Sequence, residues 1–180
     1  MRILLVSLML ATIAACGSGG KTPEEKAAEE SKTNIAKLEA EVFSNPDMPI
    51  DTEKGKQLLG AYLDFSNIHR QDSMAPEYMF KAAEMAMNLR NFTQSIEILK
   101  NLRDGFPKFS KASDVCNWIA FIYDFEINDK TKAREAYNDI ITLFPNHRYA
   151  DDARARLETI HMTDEEWMEW AKQKNEGAES

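Results

Sequence analysis

The chain has 180 residues, with 30 acidic against 22 basic side chains and a net charge of −8. This balance argues against nucleic-acid binding and against electrostatic adhesion to anionic lipid, because both need a basic surface. The length provides one domain with a modest core. The chain has seven glycines, several of them near its start, so a sheet-rich fold with many tight turns is not expected.

The first predicted element is a secretory signal peptide at residues 1–15. Arg2 supplies a positive start, an apolar run follows, and Ala14 and Ala15 are small residues of the kind that precede a cleavage site. The apolar run ends at Ile13 and is well short of the ~20 residues that a membrane-spanning helix needs. If this is an ordinary signal peptide, the cysteine that follows it at position 16 is incidental.

The sequence IAAC at residues 13–16 resembles the lipobox of bacterial lipoproteins. The resemblance implies a covalent lipid on Cys16, with no other cofactor, and several acyl chains give stable anchoring. Gly17 stands where an Asp would retain the protein in the inner membrane, so an outer-membrane location is implied, with the periplasmic face favoured over the cell surface. Residues 16–22 would form a flexible tether of about 13 Å.

Residues 23–175 are predicted to form a helical domain. Thr22, Pro23 and Glu25 make a capping box with proline at the first helical position, and this box opens a helix that ends near Phe43. Further helices are predicted from the apolar stripes that follow the sequence SNPDMP. They span residues 52–69, 75–89, 93–106, 111–126, 130–144 and 149–161.

Two helical stretches repeat each other and end in Pro107 and Pro145. Three residues of an apolar stripe lie at the same distances before each proline. These residues are Ser95, Leu99 and Leu102 in the first stretch and Ala133, Tyr137 and Ile140 in the second. Self-similarity of this kind is typical of a helical solenoid.

This pattern resembles the tetratricopeptide (TPR) repeat. The small residues at which paired helices approach closely, and the closing prolines, match Ala83, Ser95, Ala120, Ala133, Pro107 and Pro145. The resemblance implies an all-α, TPR-like α-solenoid of antiparallel helix pairs with a C-terminal capping helix, clearest at 75–108 and 112–146. Three departures stand out: Arg70 replaces a proline, the loop EINDKTK has an additional residue, and Glu158 replaces a small residue, which predicts the end of the array.

The final predicted helix begins at a second capping box, Thr163 to Glu166. Trp167 and Trp170 are expected to cover the apolar end of the array. The alternative is that these two side chains bind a partner, because exposed aromatic residues near a terminus mark interfaces. Residues 176–180 are expected to be a disordered tail.

The sequence offers no catalytic constellation, and neither catalytic nor metal-binding residues are assigned. The adjacent acids Asp151-Asp152 and Glu165-Glu166 are expected to be solvated helix starts rather than an acid/base pair. Cys116 is expected to be a small buried hydrophobic residue without a disulfide partner. The histidines are scattered over different predicted elements, at His69, His147 and His161. The chain is therefore expected not to be an enzyme.

Two further strings refine the resemblance. The run WIAFIY at residues 118–123 is similar to repeats of the CpoB family, and YADDARARL is similar to a boundary sequence in the CpoB and BamD families. With the lipobox, they imply a TPR lipoprotein of Gram-negative bacteria, especially the Bacteroidota. The implied function is a non-enzymatic adaptor for outer-membrane protein assembly. The alternatives are a coordinator of cell-wall synthesis and envelope constriction and, in another class, an envelope hydrolase or ligand carrier.

The TPR resemblance also implies a concave face lined by the first helix of each pair. Family positions for this groove fall on Glu77, Phe80, Glu84, Met87, Asn88, Asp114, Asn117, Phe121 and Asp124. Acidic and apolar groups alternate, which predicts a groove for a protein segment carrying apolar anchors and Lys or Arg. The implied partners are outer-membrane assembly components or cell-wall machinery, with the membrane reached through the lipid and no nucleic acid. The alternative is that these residues pack on neighbouring helices or meet only water.

Overall fold

The computed structural model describes residues 20–178, and the regular structure in this range is helical. The predicted signal peptide, Cys16 and residues 179–180 lie outside the described residues. The helices are α1 (Pro23–Val42), α2 (Thr52–Ile68), α3 (Ala75–Asn88), α4 (Phe92–Gly105), α5 (Ala112–Phe121), α6 (Lys130–Leu143), α7 (Arg148–Thr159) and α8 (Asp164–Ala178). The last helix continues past residue 175, where the predicted domain ends.

Local caps explain where several helices begin. In α1, the Glu25 N–H donates to Thr22 Oγ1 at 3.1 Å, and the Thr22 N–H donates to Glu25 Oε2 at 2.6 Å, which is the predicted capping box. The same reciprocal pair joins Thr163 and Glu166 ahead of α8. Side chains also cap α2, α4 and α6, through Asp51, Asn91 and Asp129.

Each helix from α1 to α6 packs on the next helix along the chain. Side-chain contacts also join α1 to α3, α3 to the start of α5, and α5 to α7, so these helices form one layer. We call α1, α3, α5 and α7 the inner helices, and α2, α4 and α6 the outer helices. The predicted all-α, TPR-like α-solenoid of helix pairs is confirmed.

The small residues lie where the TPR pattern predicts close approach between paired helices. Ala83, Ser95, Ala120 and Ala133 have no exposed surface. The Ser95 hydroxyl of α4 donates to the Ala83 carbonyl of α3 at 2.9 Å, a contact that needs two small side chains. Side chains with more volume at these positions would separate the paired helices.

A π-helical segment, Ile122–Glu126, continues α5. Its bonds reach one residue further than those of an α-helix, as in the Ile127 N–H that donates to the Ile122 carbonyl at 2.9 Å. The additional residue that the sequence places in the loop EINDKTK is thus accommodated before the loop. A π-helix has more residues per turn than an α-helix. The side chains after Phe121 therefore point in other directions than they would in a continuous α-helix.

The helix α8 covers the end of the array incompletely. Lys174 of α8 lies 3.6 Å from the Glu158 carboxylate of α7, which is exposed as its polar character requires. Trp170 is partly buried, but Trp167 is 48% exposed, so the expected covering by both tryptophans is wrong for Trp167. A cleft of about 880 Å³ lies between α8 and the ends of α5 and α7.

Among the described residues, no helix has both the length and the apolar character that crossing a membrane requires.

Candidate functional site

The inner helices form a recess at the N-terminal part of the array. We call it the α1–α3–α5 cleft; its volume is about 590 Å³. Three predicted groove residues, Glu84, Met87 and Asn88, lie in its lining. The other lining residues are Glu39, Phe43, Tyr62, Lys81, Met85 and Trp118.

The α1 wall of the cleft has a closed polar network. Glu39 Oε1 accepts hydrogen bonds from the Tyr62 hydroxyl and from Lys81 Nζ, each at 2.7 Å. Burial favours the neutral acid, but these two donors outweigh it and hold the pKa of Glu39 below its usual value. The network therefore joins α1, α2 and α3 and leaves Glu39 neutralised by Lys81.

Two predicted groove acids hold neighbouring inner helices together. Glu77 of α3 accepts a hydrogen bond from Lys111 Nζ at 2.7 Å, at the start of α5. Asp114 of α5 accepts one from the Tyr149 hydroxyl of α7 at 2.8 Å. Their charge and hydrogen-bonding capacity thus act within the array, as the alternative interpretation of the groove residues anticipates.

Asp124 is the clearest correction to the predicted groove, because its side chain is fully buried. Arg156 donates to its two oxygens at 2.6 and 3.0 Å, Lys130 donates at 2.7 Å and the Tyr137 hydroxyl at 3.0 Å. Burial favours the neutral acid, but hydrogen bonds from these donors prevail and hold the pKa of Asp124 below its usual range. Asp124 joins α5, α6 and α7 and does not face a partner.

Phe80 is also a core residue rather than a groove residue, since it is only 7% exposed. Its ring lies 5.4 Å from that of Trp118 and 6.1 Å from that of Phe109. Asn117 is half-buried on α5. Phe80 thus packs against Trp118, which lines the cleft together with Phe43 and Tyr62.

Two aromatic rings at the end of α5 are exposed side by side. Phe121 is 41% exposed and Phe125 is 55% exposed, and their centroids lie 5.1 Å apart. We call them the Phe pair. The π-helical segment places Phe125, and not Asp124, beside Phe121. The guanidinium of Arg156 also lies over the Phe125 ring, at 5.1 Å from its centroid.

Glu84 differs from the other acids of the inner surface. Within residues 20–178, its carboxylate makes neither a hydrogen bond nor an ion pair. Burial raises the pKa of Glu84, and the nearby charges of Lys111 and Lys81 offset this effect only in part. The cleft therefore contains one half-buried carboxylate whose desolvation no direct donor compensates.

The described residues contain no cluster of His, Cys, Asp or Glu that could hold a metal ion. Cys116 is buried, and burial raises the pKa of its thiol to about 11. At neutral pH this thiol is protonated and therefore a poor nucleophile.

The fold and the cleft define the class of protein: a helical-repeat solenoid with a recessed, partly apolar inner surface. A tetratricopeptide repeat family model matches residues 118–147, from the second half of α5 through α6. The chain thus contains a TPR repeat. A comparison with curated proteins gave no match. Because TPR repeats generally mediate protein–protein interactions, the match supports an adaptor role in protein binding.

Proposed function

We propose that this protein is a non-enzymatic adaptor, anchored by lipid to the outer membrane, that binds protein partners through its concave face during envelope assembly. The observation that carries the proposal is a TPR-like solenoid that has the α1–α3–α5 cleft and, at the end of α5, the exposed Phe pair. Adjacent exposed apolar side chains are typical of interaction surfaces. The inner surface also has polar groups that can orient a bound segment.

The membrane part of the proposal is supported by the sequence IAAC at residues 13–16 and by Gly17. We expect the Cys16→Ala variant to lose metabolic labelling by palmitate and to be missing from the outer-membrane fraction, because the acylated thiol is absent. The measurement is fluorography and immunoblotting of fractionated cells. Cys116→Ala is the matched control and should keep both properties. Undiminished labelling of Cys16→Ala would contradict lipid attachment at this residue.

A second candidate is a CpoB-like coordinator of cell-wall synthesis and envelope constriction. The observation that favours it is the run at residues 118–123, whose first residue, Trp118, lines the cleft and begins the TPR match. Both candidates use the same concave face, and they differ in the partner bound.

Photocrosslinking in cells distinguishes these candidates. A photoreactive residue at position 121 is expected to capture a specific partner, because this side chain is exposed on α5, three residues after the cleft residue Trp118. Adding Met87→Lys, which places a positive charge beside the apolar side chains of the cleft, should reduce the yield about tenfold or more. Captured proteins are identified by mass spectrometry of fractionated membranes.

The matched control is a photoreactive residue at Leu143, which is 54% exposed on the outer helix α6. Barrel-assembly components captured at position 121 alone would support the assembly role, and cell-wall synthases or division proteins would favour the coordinator. The same proteins captured equally from both positions would contradict binding through the concave face.

A further inference from the structure

We infer that the α1–α3–α5 cleft receives one cationic side chain, Arg or Lys, of a partner protein segment, and that Glu84 is the carboxylate that pairs with it. This inference rests on the proposed function, since it uses the same concave face. It narrows the partner to a segment with a positive residue next to an apolar one.

Charge within the cleft is the first argument. Its lining contains the carboxylates of Glu39 and Glu84 and the ammonium group of Lys81. Lys81 Nζ lies 2.7 Å from Glu39, so this pair is internally neutral. One negative charge, that of Glu84, is left over in the lining. A cationic guest complements this charge, whereas an anionic guest would be repelled by it.

The second argument is that the other predicted groove acids already form hydrogen bonds within the array. Glu77, Asp114 and Asp124 each accept a hydrogen bond from a neighbouring inner helix or its flanking residues. These contacts hold the array together and would have to break before a partner could use the same oxygens. A partner could bind Glu84 without breaking an existing hydrogen bond, because no donor among the described residues reaches its carboxylate. Glu84 is therefore the acid at which a partner gains a new pair without losing an existing one.

Burial of Glu84 is the third argument. Removal from water raises the free energy of its charged form, which is why its pKa is raised. A charge-assisted hydrogen bond formed in a partly desolvated recess is stronger than one formed on an open surface. An incoming cation would thus be held more firmly here than at an exposed glutamate.

The walls of the cleft suit the rest of such a side chain. Phe43 is 51% exposed and Trp118 is partly exposed. The methylene groups of Arg or Lys can pack on these two aromatic rings while the charged end reaches the carboxylate. The volume of about 590 Å³ lies in the range of pockets that hold ligand-sized groups. The Phe pair lies further along α5 and offers the surface for the neighbouring apolar residue.

The test uses the full chain in mild detergent, with a phage-displayed library of random 12-residue peptides as the probe. Enriched peptides are synthesised with each Arg changed to citrulline and each Lys to norleucine. Their Kd values are then measured by fluorescence polarisation. We expect that one such change, and equally Glu84→Gln, weakens binding about tenfold or more. Combining both changes should add little to either alone, because they remove the same pair.

Glu97→Gln is the matched control, since Glu97 is exposed on the outer helix α4, and it should leave Kd unchanged. Glu84→Gln is expected to fold normally, because burial already opposes the charge of Glu84. One result would overturn the pairing of Glu84 with a cationic side chain and leave the adaptor proposal intact. In that result, Kd is unchanged for Glu84→Gln while binding to Phe121→Asp is lost. Peptides that bind both variants like the unmodified protein, or no enriched peptide at all, would contradict both.

Discussion

Asp124→Ala is expected to lower the free energy of unfolding by about 3–5 kcal/mol, because it removes one partner of a buried charge network. Arg156 and Lys130 would lose the carboxylate that they share, and the Tyr137 hydroxyl would lose its acceptor. The contact joins α5, α6 and α7, so the C-terminal half of the array should loosen first. Equilibrium urea unfolding, followed by far-UV circular dichroism, measures the change.

The pH dependence gives an independent check on Asp124. Its folded pKa is held below its usual value, so its ionisation stabilises the fold at pH values above the unfolded pKa of about 3.9. This contribution is lost as the pH falls through the lower, folded pKa. The difference in stability between the unmodified protein and Asp124→Ala should therefore be full at pH 7 and shrink below about pH 4.

Asp47→Ala is the control for this substitution, because Asp47 is exposed in the loop before α2. Its effect should be about 0.5 kcal/mol or less at any pH at which the fold is stable. Equal and small effects of the two substitutions would mean that the buried network contributes nothing measurable.

Phe65→Ala is expected to cost about 3–5 kcal/mol of stability, because it leaves a cavity in the core. The ring of Phe65 is 1% exposed. It meets Tyr78 edge to face at 4.8 Å and lies 4.9 Å from the ring of His69. The contact with Tyr78 fastens α2 to α3, so the N-terminal half of the array depends on it. Urea unfolding again measures the loss.

Phe121→Ala makes the matched comparison, since it deletes the same ring from an exposed position. We expect it to change stability by about 0.5 kcal/mol or less while weakening partner capture. A loss as large as that of Phe65→Ala would show that Phe121 serves packing, and would remove it from the binding surface. The comparison thus separates an aromatic residue that the fold needs from one that it does not.

The helices were predictable because their signals are local. The capping boxes at Thr22 and Thr163 satisfy the first backbone N–H groups within four residues, and the apolar stripes need only helical periodicity. The small residues Ala83 and Ser95 were also predictable, because their spacing reflects a repeated contact between helices. For the same reason the fold class follows from the sequence.

The site was less predictable, because its chemistry depends on contacts between distant parts of the chain. Glu77 and Glu84 look alike in the sequence, yet only Glu77 meets a lysine at bonding distance. Glu39 and Phe43 were missed because α1 shows no repeat signal that would mark it as an inner helix. Asp124 was wrongly predicted to line the groove, because no pattern in the sequence indicates the π-helical segment. That segment directs the Asp124 side chain into the core.

The length of α1 limits the distance between the proposed lipid anchor and the α1–α3–α5 cleft. The helix begins at Pro23, directly after the proposed tether, and its capping box holds that end in register. Glu39 lies further along α1, about 24 Å from Pro23 at the rise of an α-helix. A fully extended tether of residues 16–22 would add about 25 Å. With Cys16 acylated, the cleft would thus stay within roughly 50 Å of the bilayer surface, and α1 would act as a spacer that limits partners to segments presented within that height.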